Sequence, residues 1–354
     1  MAYPLLSIVT ATYNSQRTLE KTLQSIANQT YPKEKIEILV IDGGSTDNTV
    51  NIAKLYKCKI LPNPKVDPVS AKYIGILKAS GKYILFLDSD EVLEKPTSLK
   101  VKYLAFKKDN KMNKFLASPI RSVIPNGYKT PNVGSAINYY INEFGDPFSY
   151  FFYRESKGKD YLLRDWSLTY KKISEDGNVT VFSFSNKGRL PLLELTAGGC
   201  MMDLQYIKAE FPEIKTNPSL ITHLFYLLNT KSALLAITKH DSTIHYSSDT
   251  LYKYLKKISS RIKNNIFDTE VGWVGFKGRE KFQPFLSNIK KYLFIPYSFS
   301  LLLPCIDSIN LCLTRKKAVY LLHLPLCLYT SLMIIYFLII KKLGIQPDIR
   351  IYGR

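Results

Sequence analysis

The segment YILFLDSDE at residues 83–91 decides the predicted fold. Residues 83–87 are continuously apolar, and a short run of this kind predicts a β-strand that is buried on both faces. The run ends at Asp88-Ser89-Asp90, and two carboxylates one residue apart can hold a hard divalent cation, which prefers oxygen ligands. Because Asp-x-Asp also occurs by chance in exposed turns, its meaning depends on the rest of the chain.

Apolar runs and helical patterns alternate from residue 5 to residue 91. Strands are predicted at residues 5–12, 36–41 and 58–61, and helices at residues 18–28, after Thr46 or Asp47, and at residues 70–78. This alternation predicts βαβ units and a parallel sheet. Ligands of such sheets bind at the carboxyl ends of the strands, and Asn14, Asp42 and Asp88 all fall there.

Charge and cysteine content limit the classes of partner. The 354-residue chain has 49 Lys and Arg against 29 Asp and Glu, and its formal net charge of +20 indicates a polyanionic partner. No RNA-binding signature or zinc-finger spacing accompanies the lysines, so we expect an anionic membrane surface and no nucleic acid. Five scattered cysteines without a CxxC pair favour a reducing compartment. No signal peptide is evident, which predicts a cytosolic N-terminal domain.

The middle of the chain has a looser pattern. Residues 142–154 (NEFGDPFSYFFYR) are aromatic and interrupted by proline, and they predict a loop or a short helix near a binding surface. Residues 190–202 (LPLLELTAGGCMM) predict a strand followed by a tight Gly-Gly turn.

The chain changes character from residue 251. Apolar side chains at positions 251, 255, 258, 262 and 266 form one helical stripe with basic residues outside it, which predicts an amphipathic helix on an anionic membrane. A helix docked on the preceding domain with a solvated basic face is the alternative. Residues 292–313 and 318–340 are apolar, and the second stretch is long enough to span a bilayer, although Pro325 and His323 complicate that interpretation. A membrane span, a re-entrant or interfacial hairpin and a soluble core hairpin all stay open, and basic flanks on both sides leave the orientation undecided.

Four motifs resemble those of the family 2 inverting glycosyltransferases. They are LLSIVTATYN at residues 5–14, VIDGGSTDNTV at 40–50, AKYIGILKASG at 71–81 and YILFLDSDE at 83–91, in the order and at the spacing of that family. The resemblance covers residues 1–95 well and the remainder loosely. It implies an α/β fold of the GT-A type, with a mostly parallel nucleotide-binding sheet flanked by helices. The C-terminal amphipathic helix and hydrophobic membrane-associated helices follow this domain.

The resemblance implies roles for individual positions. The implied donor is a nucleotide-diphosphate sugar, bound by Thr10, Thr12, Tyr13, Asn14, Asp42, Gly44, Ser45, Lys72, Asp88 and Ser89. Asp42 would hydrogen-bond the base, and Lys72 would lie near the diphosphate unless it is only a solvated helix residue. Asp88 and Asp90 are the implied catalytic residues: Asp88 would contact the ribose or the metal, and Asp90 would bind the metal, Mn²⁺ or Mg²⁺, which neutralises charge on the leaving nucleoside diphosphate. His245 resembles a third metal ligand, with an ordinary packed histidine as the alternative.

One departure from the family concerns the general base. The family usually has a Glu-Asp pair downstream of a small-residue segment like 196–199, but residues 217–228 (NPSLITHLFYLL) contain no carboxylate. The pair Glu175-Asp176 lies upstream in a turn-like segment and is interpreted as structural. Substitute candidates are Asp203, Glu210 and Glu213.

The lack of the expected general base leads to a hypothesis about the acceptor. A hydroxyl acceptor must lose its proton during attack, whereas a phosphate monoester is already ionised at neutral pH. A lipid phosphate such as a polyprenyl phosphate would therefore need no base, and it would suit the basic helix and the hydrophobic tail. A base from another carboxylate stays equally open.

These observations predict a three-part chain: a GT-A catalytic domain at residues 1–245, a basic amphipathic membrane-surface region at 246–290 and a hydrophobic anchoring region at 291–354. Within the first part, residues 1–95 would bind the nucleotide sugar and residues 96–245 the acceptor. The predicted function is transfer of a sugar to a lipid-linked acceptor in glycan biosynthesis, at the cell membrane with the catalytic domain on the cytoplasmic side. The alternatives are a catalytically degenerate membrane-anchored scaffold and a nucleotidyltransferase, although the chain lacks the Gly-rich, basic loop expected of the latter.

Overall fold

The structure, a computed structural model, describes residues 2–112, 119–184, 188–248, 250–267 and 279–347. The chain forms two compact units. The first comprises Met1–Pro131, Gly158–Ser185 and Leu193–Tyr246, and the second comprises Asn132–Lys157, Asn186–Leu192 and Ser247–Arg354. The main division thus falls next to the predicted boundary at residue 245, but two segments from the predicted acceptor half belong to the second unit. Of the predicted C-terminal regions, residues 268–278 and 348–354 lie outside the described residues.

The strands in the described part of the chain all belong to the first unit. In chain order they are β1 (Leu6–Thr12), β2 (Ile36–Asp42), β3 (Lys59–Pro62), β4 (Tyr83–Phe86), β5 (Glu91–Leu93), β6 (Ile120–Pro125), β7 (Tyr128–Lys129), β8 (Lys171–Glu175), β9 (Val179–Ser183), β10 (Cys200–Asp203), β11 (Leu234–Thr238) and β12 (Thr243–His245). The four predicted strands, β1 to β4, are confirmed with ends that differ by one residue or less from those predicted.

The main sheet has the strand order β3-β2-β1-β4-β10-β6-β11-β9-β8. Strands β3, β2, β1 and β4 are parallel, as predicted, whereas β10 runs antiparallel to both of its neighbours. The α/β fold class is therefore confirmed, with a parallel N-terminal half and a mixed remainder. A second sheet has the order β5-β12-β7 and brings three distant parts of the chain together beside the end of β4.

The helices flank the sheet in the first unit and make up the second unit. In chain order they are α1 (Leu19–Ala27), α2 (Thr49–Leu55), α3 (Pro68–Lys78), α4 (Ser98–Met112), α5 (Ile137–Phe144), α6 (Pro147–Tyr153), α7 (Leu162–Thr169), α8 (Leu204–Glu210), α9 (Leu224–Thr230), α10 (Leu251–Phe267), α11 (Phe285–Lys290), α12 (Phe294–Phe299), α13 (Leu302–Arg315) and α14 (His323–Lys342). Short 3₁₀ turns include Pro212–Lys215, Pro218–His223 and Ala318–Leu322.

Helix α3 shows how local sequence positions an element of the site. It begins two residues before the predicted start because the Asp67 carboxylate accepts a hydrogen bond from the Ser70 N–H and Pro68 occupies the first turn. Gly75 lets the helix approach β1 closely, since a Cβ there would clash with a methyl carbon of Val9. Any larger residue at position 75 would push α3 away from the sheet.

The prediction for residues 190–202 is wrong in its order. Residues 190–197 form no strand, and the Gly-Gly turn precedes strand β10 instead of following one. Gly198 and Gly199 adopt φ angles of +71° and +70°, a region that favours glycine, and this turn leads the chain into the middle of the sheet. The apolar residues before it are buried by tertiary packing without any strand partner, which the apolar pattern could not reveal.

The second unit is helical and strongly aromatic. Residues 142–154, predicted as a loop or short helix, lie in α5 and α6, with the Asp146 carboxylate capping α6 at Ser149. Tyr140, Tyr254 and Tyr320 are buried in its core with apolar residues of α13 and α14. His323 is fully buried, with its Nδ1 2.6 Å from the Tyr140 hydroxyl and its Nε2 2.9 Å from the Tyr297 hydroxyl.

The predicted amphipathic helix is present as α10. Its apolar residues Ile258, Leu255 and Ile262 pack within the second unit, so a large part of the stripe is covered by the chain itself. Leu251, at the start of the stripe, is exposed. The stripe therefore meets protein over most of its length, and contact of this helix with a membrane stays a prediction.

One helix in the described part of the chain, Ala318–Lys342, is long and apolar enough to cross a membrane. Pro325 does not break it, because the proline lies in the first turn of α14, where backbone N–H groups have no partner within the helix. The stretch predicted at residues 292–313 is instead bent by 89° between Phe285–Phe299 and Leu302–Arg315. The sequence alternatives of a span and a re-entrant hairpin both stay open for this pair.

Candidate active site

The turn after β2 is organised by one carboxylate. Asp42 is 7% exposed and accepts hydrogen bonds from the backbone N–H groups of Gly44 and Ser45, at 3.0 and 2.8 Å. Its other oxygen accepts from the hydroxyls of Ser45 and Thr12, at 2.5 and 2.9 Å. Asp42 therefore holds its own turn against the end of β1, and Gly44, with φ +83°, needs its glycine backbone to make that turn.

Asn14 joins the same turn from the β1 side. It has a φ of 48°, its N–H donates to the Ser45 hydroxyl at 2.9 Å, and its side-chain oxygen accepts from the Thr46 N–H at 2.9 Å. Tyr13 is partly exposed beside it. Thr10, by contrast, is fully buried in β1, and its predicted place in the lining of a nucleotide pocket stays a prediction.

A buried lysine meets the carboxylate that follows β4. The Lys72 ammonium lies 3.1 and 3.3 Å from the two oxygens of Asp88, and its side chain is 6% exposed while that of Asp88 is 34% exposed. Burial and the neighbouring Asp90 raise the pKa of Asp88, which Lys72 opposes. Lys72 is thus buried and paired with Asp88, and the alternative of a solvated helix residue is wrong.

The remaining residues of the Asp88-Ser89-Asp90 turn are anchored on both sides. The Ser89 carbonyl accepts from Thr22 at 3.1 Å, and its hydroxyl donates to Ser15 at 3.0 Å. His245 approaches Asp90 from β12, with its Nε2 3.7 Å from an Asp90 carboxylate oxygen. The second sheet therefore places the histidine beside the aspartate, and its role as a metal ligand stays a prediction.

Asp42 and Asp88 lie at the same edge of the sheet on either side of β1. Strand β1 pairs with β2 at Asp42 and with β4 up to Phe86, two residues before Asp88. Two strand spacings put their backbones about 10 Å apart. Asp42 and Asp88 therefore lie at or just after the ends of strands whose carboxyl ends share one edge of the sheet, and their joint role in a binding site stays a prediction.

Sequence reasoning missed Glu91, which lies beneath this turn. Glu91 is 1% exposed and accepts from the backbone N–H groups of Asp88 at 2.9 Å and Gly198 at 2.8 Å, and from the Tyr128 hydroxyl at 2.9 Å. Burial and the nearby Asp88 raise the pKa of Glu91 to about 7. One carboxylate thus joins the Asp88–Asp90 turn to the Gly-Gly turn, and no local pattern distinguishes it from a surface glutamate.

A second missed carboxylate is Glu194. It is partly buried, accepts a hydrogen bond from the Thr196 hydroxyl at 3.1 Å, and is close enough to Lys72 and Asp88 for its charge to act on the pKa of both. The sequence feature that could have identified Glu194 as a candidate is its position two residues before the Thr-Ala-Gly-Gly segment at 196–199. The structure therefore adds a carboxylate beside the site from a stretch that was predicted as a strand.

The weaker base candidates lie elsewhere. Asp203 pairs with Tyr83 across β10 and β4, which places it about 16 Å along the strand from Asp88. It caps α8 at Tyr206 and forms an ion pair with Arg121 at 2.6 Å. It therefore has a structural environment, and the structure does not bring it to the site.

The other candidates also have local explanations. Glu213 is exposed in the 3₁₀ turn Pro212–Lys215, and Glu210 forms an ion pair with Lys231 at 3.2 Å. Glu175 ends β8, and Asp176 accepts backbone hydrogen bonds in the hairpin turn that follows it. None of these carboxylates has a contact with Asp88 or Asp90 among those that the structure describes.

Comparisons with known proteins agree with the motifs. The model of Glycosyl transferase family 2 matches residues 7–153. The chain is 34% identical over 99 residues to poly(ribitol-phosphate) beta-N-acetylglucosaminyltransferase TarS of Staphylococcus aureus, a match that covers 26% of this chain and 17% of that protein. It is 30% identical over 159 residues to dolichyl N-acetyl-alpha-D-glucosaminyl phosphate 3-beta-D-2,3-diacetamido-2,3-dideoxy-beta-D-glucuronosyltransferase of Methanococcus voltae, covering 39% of this chain and 48% of that protein.

The matches thus span between 17% and 48% of these two relatives. Among solved structures, residues 1–349 of S. aureus TarS align with a TM-score of 0.45 and 14% identity, covering 97% of this chain and 93% of that one. Similarity of that size supports no statement about substrate. The family match, however, confirms the resemblance: the chain carries a family 2 glycosyltransferase domain.

Proposed function

We propose that this chain, because it carries a family 2 glycosyltransferase domain, is an inverting glycosyltransferase that uses a nucleotide-diphosphate sugar and a lipid-linked acceptor in glycan biosynthesis. The observation that carries the proposal is the placement of Asp42, Asp88 and Asp90 at or just after the ends of strands β2 and β4, at the same edge of four parallel strands. Such an edge is where α/β sheets bind their ligands. The relative from M. voltae is named for a dolichyl-linked substrate, which supports the class of acceptor.

The donor would lie across the ends of β2, β1 and β4. Thr12, Tyr13, Asn14, Gly44 and Ser45 would surround the nucleoside, with the Asp42 carboxylate as a hydrogen-bond acceptor for the base. Asp42 already accepts four hydrogen bonds, so its turn is held in place before the donor arrives. The diphosphate would lie nearer Lys72, Asp88 and Ser89, where the Lys72 ammonium can offset its charge.

A divalent metal, Mn²⁺ or Mg²⁺, fits the donor atoms of this site. Among the described residues no group of three His, Cys, Asp or Glu side chains is arranged to hold a metal alone. Asp88 and Asp90 offer carboxylate oxygens, and a metal of this type is often held by one or two carboxylates together with substrate phosphates. His245, near Asp90, is the candidate third ligand. When bound, the metal would offset charge on the departing nucleoside diphosphate.

The nucleophile of the acceptor can be either a phosphate oxygen or a hydroxyl oxygen, and one observation favours each. The lack of a carboxylate in residues 217–228 favours a lipid phosphate oxygen, which is ionised at neutral pH and needs no base. The place of Glu194 near Lys72 and Asp88 favours a hydroxyl of a lipid-linked glycan, with the Glu194 carboxylate as the base. In both cases the acceptor oxygen attacks the anomeric carbon from the face opposite the leaving diphosphate, which inverts the configuration.

Membrane association is part of the proposal. The apolar helix Ala318–Lys342 and the large basic excess of the chain support an anchor at an anionic membrane. We place the catalytic domain on the cytoplasmic side, where nucleotide sugars would reach it. Protease digestion of tagged termini in sealed inside-out vesicles would test this orientation, and a protected N-terminal domain would contradict it.

The main experiment is release of nucleoside diphosphate by the purified full chain. A panel of nucleotide sugars is supplied with Mn²⁺, Mg²⁺ or a chelator, followed by polyprenyl phosphate or a lipid-linked glycan as acceptor. Release that needs a metal and an acceptor supports the proposal. No release with any donor, in a chain that still binds nucleotide sugar, would favour the degenerate scaffold instead.

Glu194→Gln separates the two acceptor atoms. If a hydroxyl attacks, transfer by this variant is expected to fall by about 10²-fold or more, because the base is lost. If a phosphate attacks, transfer is expected to stay near that of the unaltered chain. Donor binding, measured by titration calorimetry, serves as the control for an intact site in both cases.

A further inference from the structure

Three cationic side chains of the second unit meet at the end of α6. The carbonyl oxygen of Phe152, in the last turn of that helix, accepts hydrogen bonds from both Arg189 at 3.3 Å and Lys290 at 3.0 Å. Two cations on one carbonyl must lie close to each other. Arg154, which directly follows α6 with a φ of 55°, lies near enough that its charge also acts on Lys290. We call Arg154, Arg189 and Lys290 the cationic cluster.

The cluster carries more positive charge than its partners neutralise. Arg154 pairs with Asp307 at 2.7 Å, and Arg189 pairs with Glu155 at 2.9 Å. No carboxylate lies within ion-pair distance of Lys290 in the parts of the chain that the structure describes. Burial, and then the repulsion of Arg189 and Arg154, lower the pKa of Lys290 to about 8. A bound anion would relieve that repulsion.

Exposed apolar side chains lie on the helix that carries Lys290 and on the helix that carries Asp307. Helix α11, which ends at Lys290, exposes Phe285 by 77% and Leu286 by 79%. Leu302 of α13, the helix that carries Asp307, is 66% exposed. Apolar surface of this extent beside a cationic site is typical of a surface that meets lipid.

A structural role for the cations explains only part of this arrangement. Cations at the last turn of a helix interact favourably with its carbonyl groups, which accounts for the contacts to Phe152. It does not account for the exposed Phe285 and Leu286 on the same helix as Lys290. A ligand with an anionic head and an apolar chain satisfies both features at once.

We propose that the cationic cluster binds the phosphate headgroup of a long-chain lipid whose apolar chain lies along the exposed side chains of α11 and α13. This inference rests on the proposed function, because it takes the lipid to be the phosphate-bearing acceptor of the glycosyltransferase reaction. The chemistry needed is a phosphomonoester or diphosphate on an apolar chain. Arginine guanidinium groups bind phosphate oxygens in pairs, and a lysine adds a point charge.

The test is binding of the full chain to vesicles of stated composition. Phosphatidylcholine vesicles with no addition, with polyprenyl phosphate or with phosphatidylglycerol are floated with the unaltered chain and with Lys290→Met or Arg189→Met. Each substitution is expected to weaken binding to polyprenyl phosphate by about tenfold, as expected for a charge-assisted hydrogen bond. Lys290→Arg should restore binding, and Lys54→Met, an exposed lysine at the end of α2, is the matched control.

The outcomes separate the sources of phosphate. A loss confined to polyprenyl phosphate supports the acceptor site, whereas an equal loss for phosphatidylglycerol overturns it in favour of a general anionic-lipid contact. Unchanged binding by both variants overturns the whole inference, provided that their thermal melting matches that of the unaltered chain. If glycerol phosphate, which has no long apolar chain, bound as tightly as polyprenyl phosphate, the proposed contact of the lipid chain with α11 and α13 would be wrong. Nucleoside diphosphate release by the unaltered chain tests the proposed function separately.

Discussion

Replacing Glu91 by alanine should damage both the fold and the proposed donor site, whereas glutamine should preserve most of each. Alanine leaves the N–H groups of Asp88 and Gly198 and the hydroxyl of Tyr128 without their acceptor. A buried unsatisfied donor costs about 1–3 kcal/mol, so three would cost about 3–9 kcal/mol. Because water can enter from the open side of the site, we expect a loss near the lower end, about 3–5 kcal/mol.

Glutamine has the same shape and can satisfy the same partners. Its oxygen can accept from Asp88 and Gly198, and its amide can donate to Tyr128, whose hydroxyl can rotate to accept. The loss of charge-assisted bonds is partly offset, because the repulsion between Glu91 and Asp88 also disappears. We therefore expect a change in the free energy of unfolding of about 1 kcal/mol or less for Glu91→Gln.

Urea denaturation and nucleoside diphosphate release measure the two effects. Unfolding is followed by tryptophan fluorescence, since Trp166 is 2% exposed in the first unit and reports on its core. A displacement of the Asp88–Asp90 turn by about 1 Å would lower turnover by about 10²-fold in the alanine variant. Glu20→Ala, on the exposed face of α1, is the control. If Glu91→Ala were as stable and as active as Glu20→Ala, the carboxylate would not organise the site.

Three further predictions concern neighbouring charges. Asp90→Ala should abolish metal-dependent nucleoside diphosphate release while thermal melting stays unchanged; residual release at the unaltered rate would contradict its role. Lys72→Met leaves the Asp88 carboxylate without its cation, so the unfolding free energy should fall by about 1–3 kcal/mol and the acid limb of the pH–rate profile should move to higher pH. Glu94 has its pKa lowered to about 2, because hydrogen bonds from two lysines and a serine outweigh burial. Its stabilisation is therefore complete above its ordinary pKa and disappears as the pH falls from about 4.5 to about 2. At neutral pH the unaltered chain should therefore have a higher free energy of unfolding than Glu94→Gln, measured by urea denaturation. This difference should disappear as the pH falls from about 4.5 to about 2. A difference that grows on acidification would refute the lowered pKa of Glu94.

Local chemistry in the sequence determined the parallel half of the sheet. The segments that form β1, β2 and β4 are apolar and continuous. Each is followed by polar residues of the kind that form turns or bind ligands. Parallel strands place their carboxyl ends at one edge, so Asp42 and Asp88 had to lie near each other once those strands were assigned. Asp67, Pro68 and Gly75 similarly define helix α3 by capping and close packing.

Tertiary structure alone decided which other groups complete the site. Glu91, Tyr128 and His245 meet because β5, β12 and β7 form a small sheet, whose pairing joins residues far apart in the chain. The same holds for Glu194, which lies in a stretch without strand partners and is close enough to Lys72 for its charge to act on the lysine. Burial and long-range strand pairing determine which carboxylates in this chain accept hydrogen bonds inside the protein and which stay in water. A short sequence pattern does not distinguish the two groups.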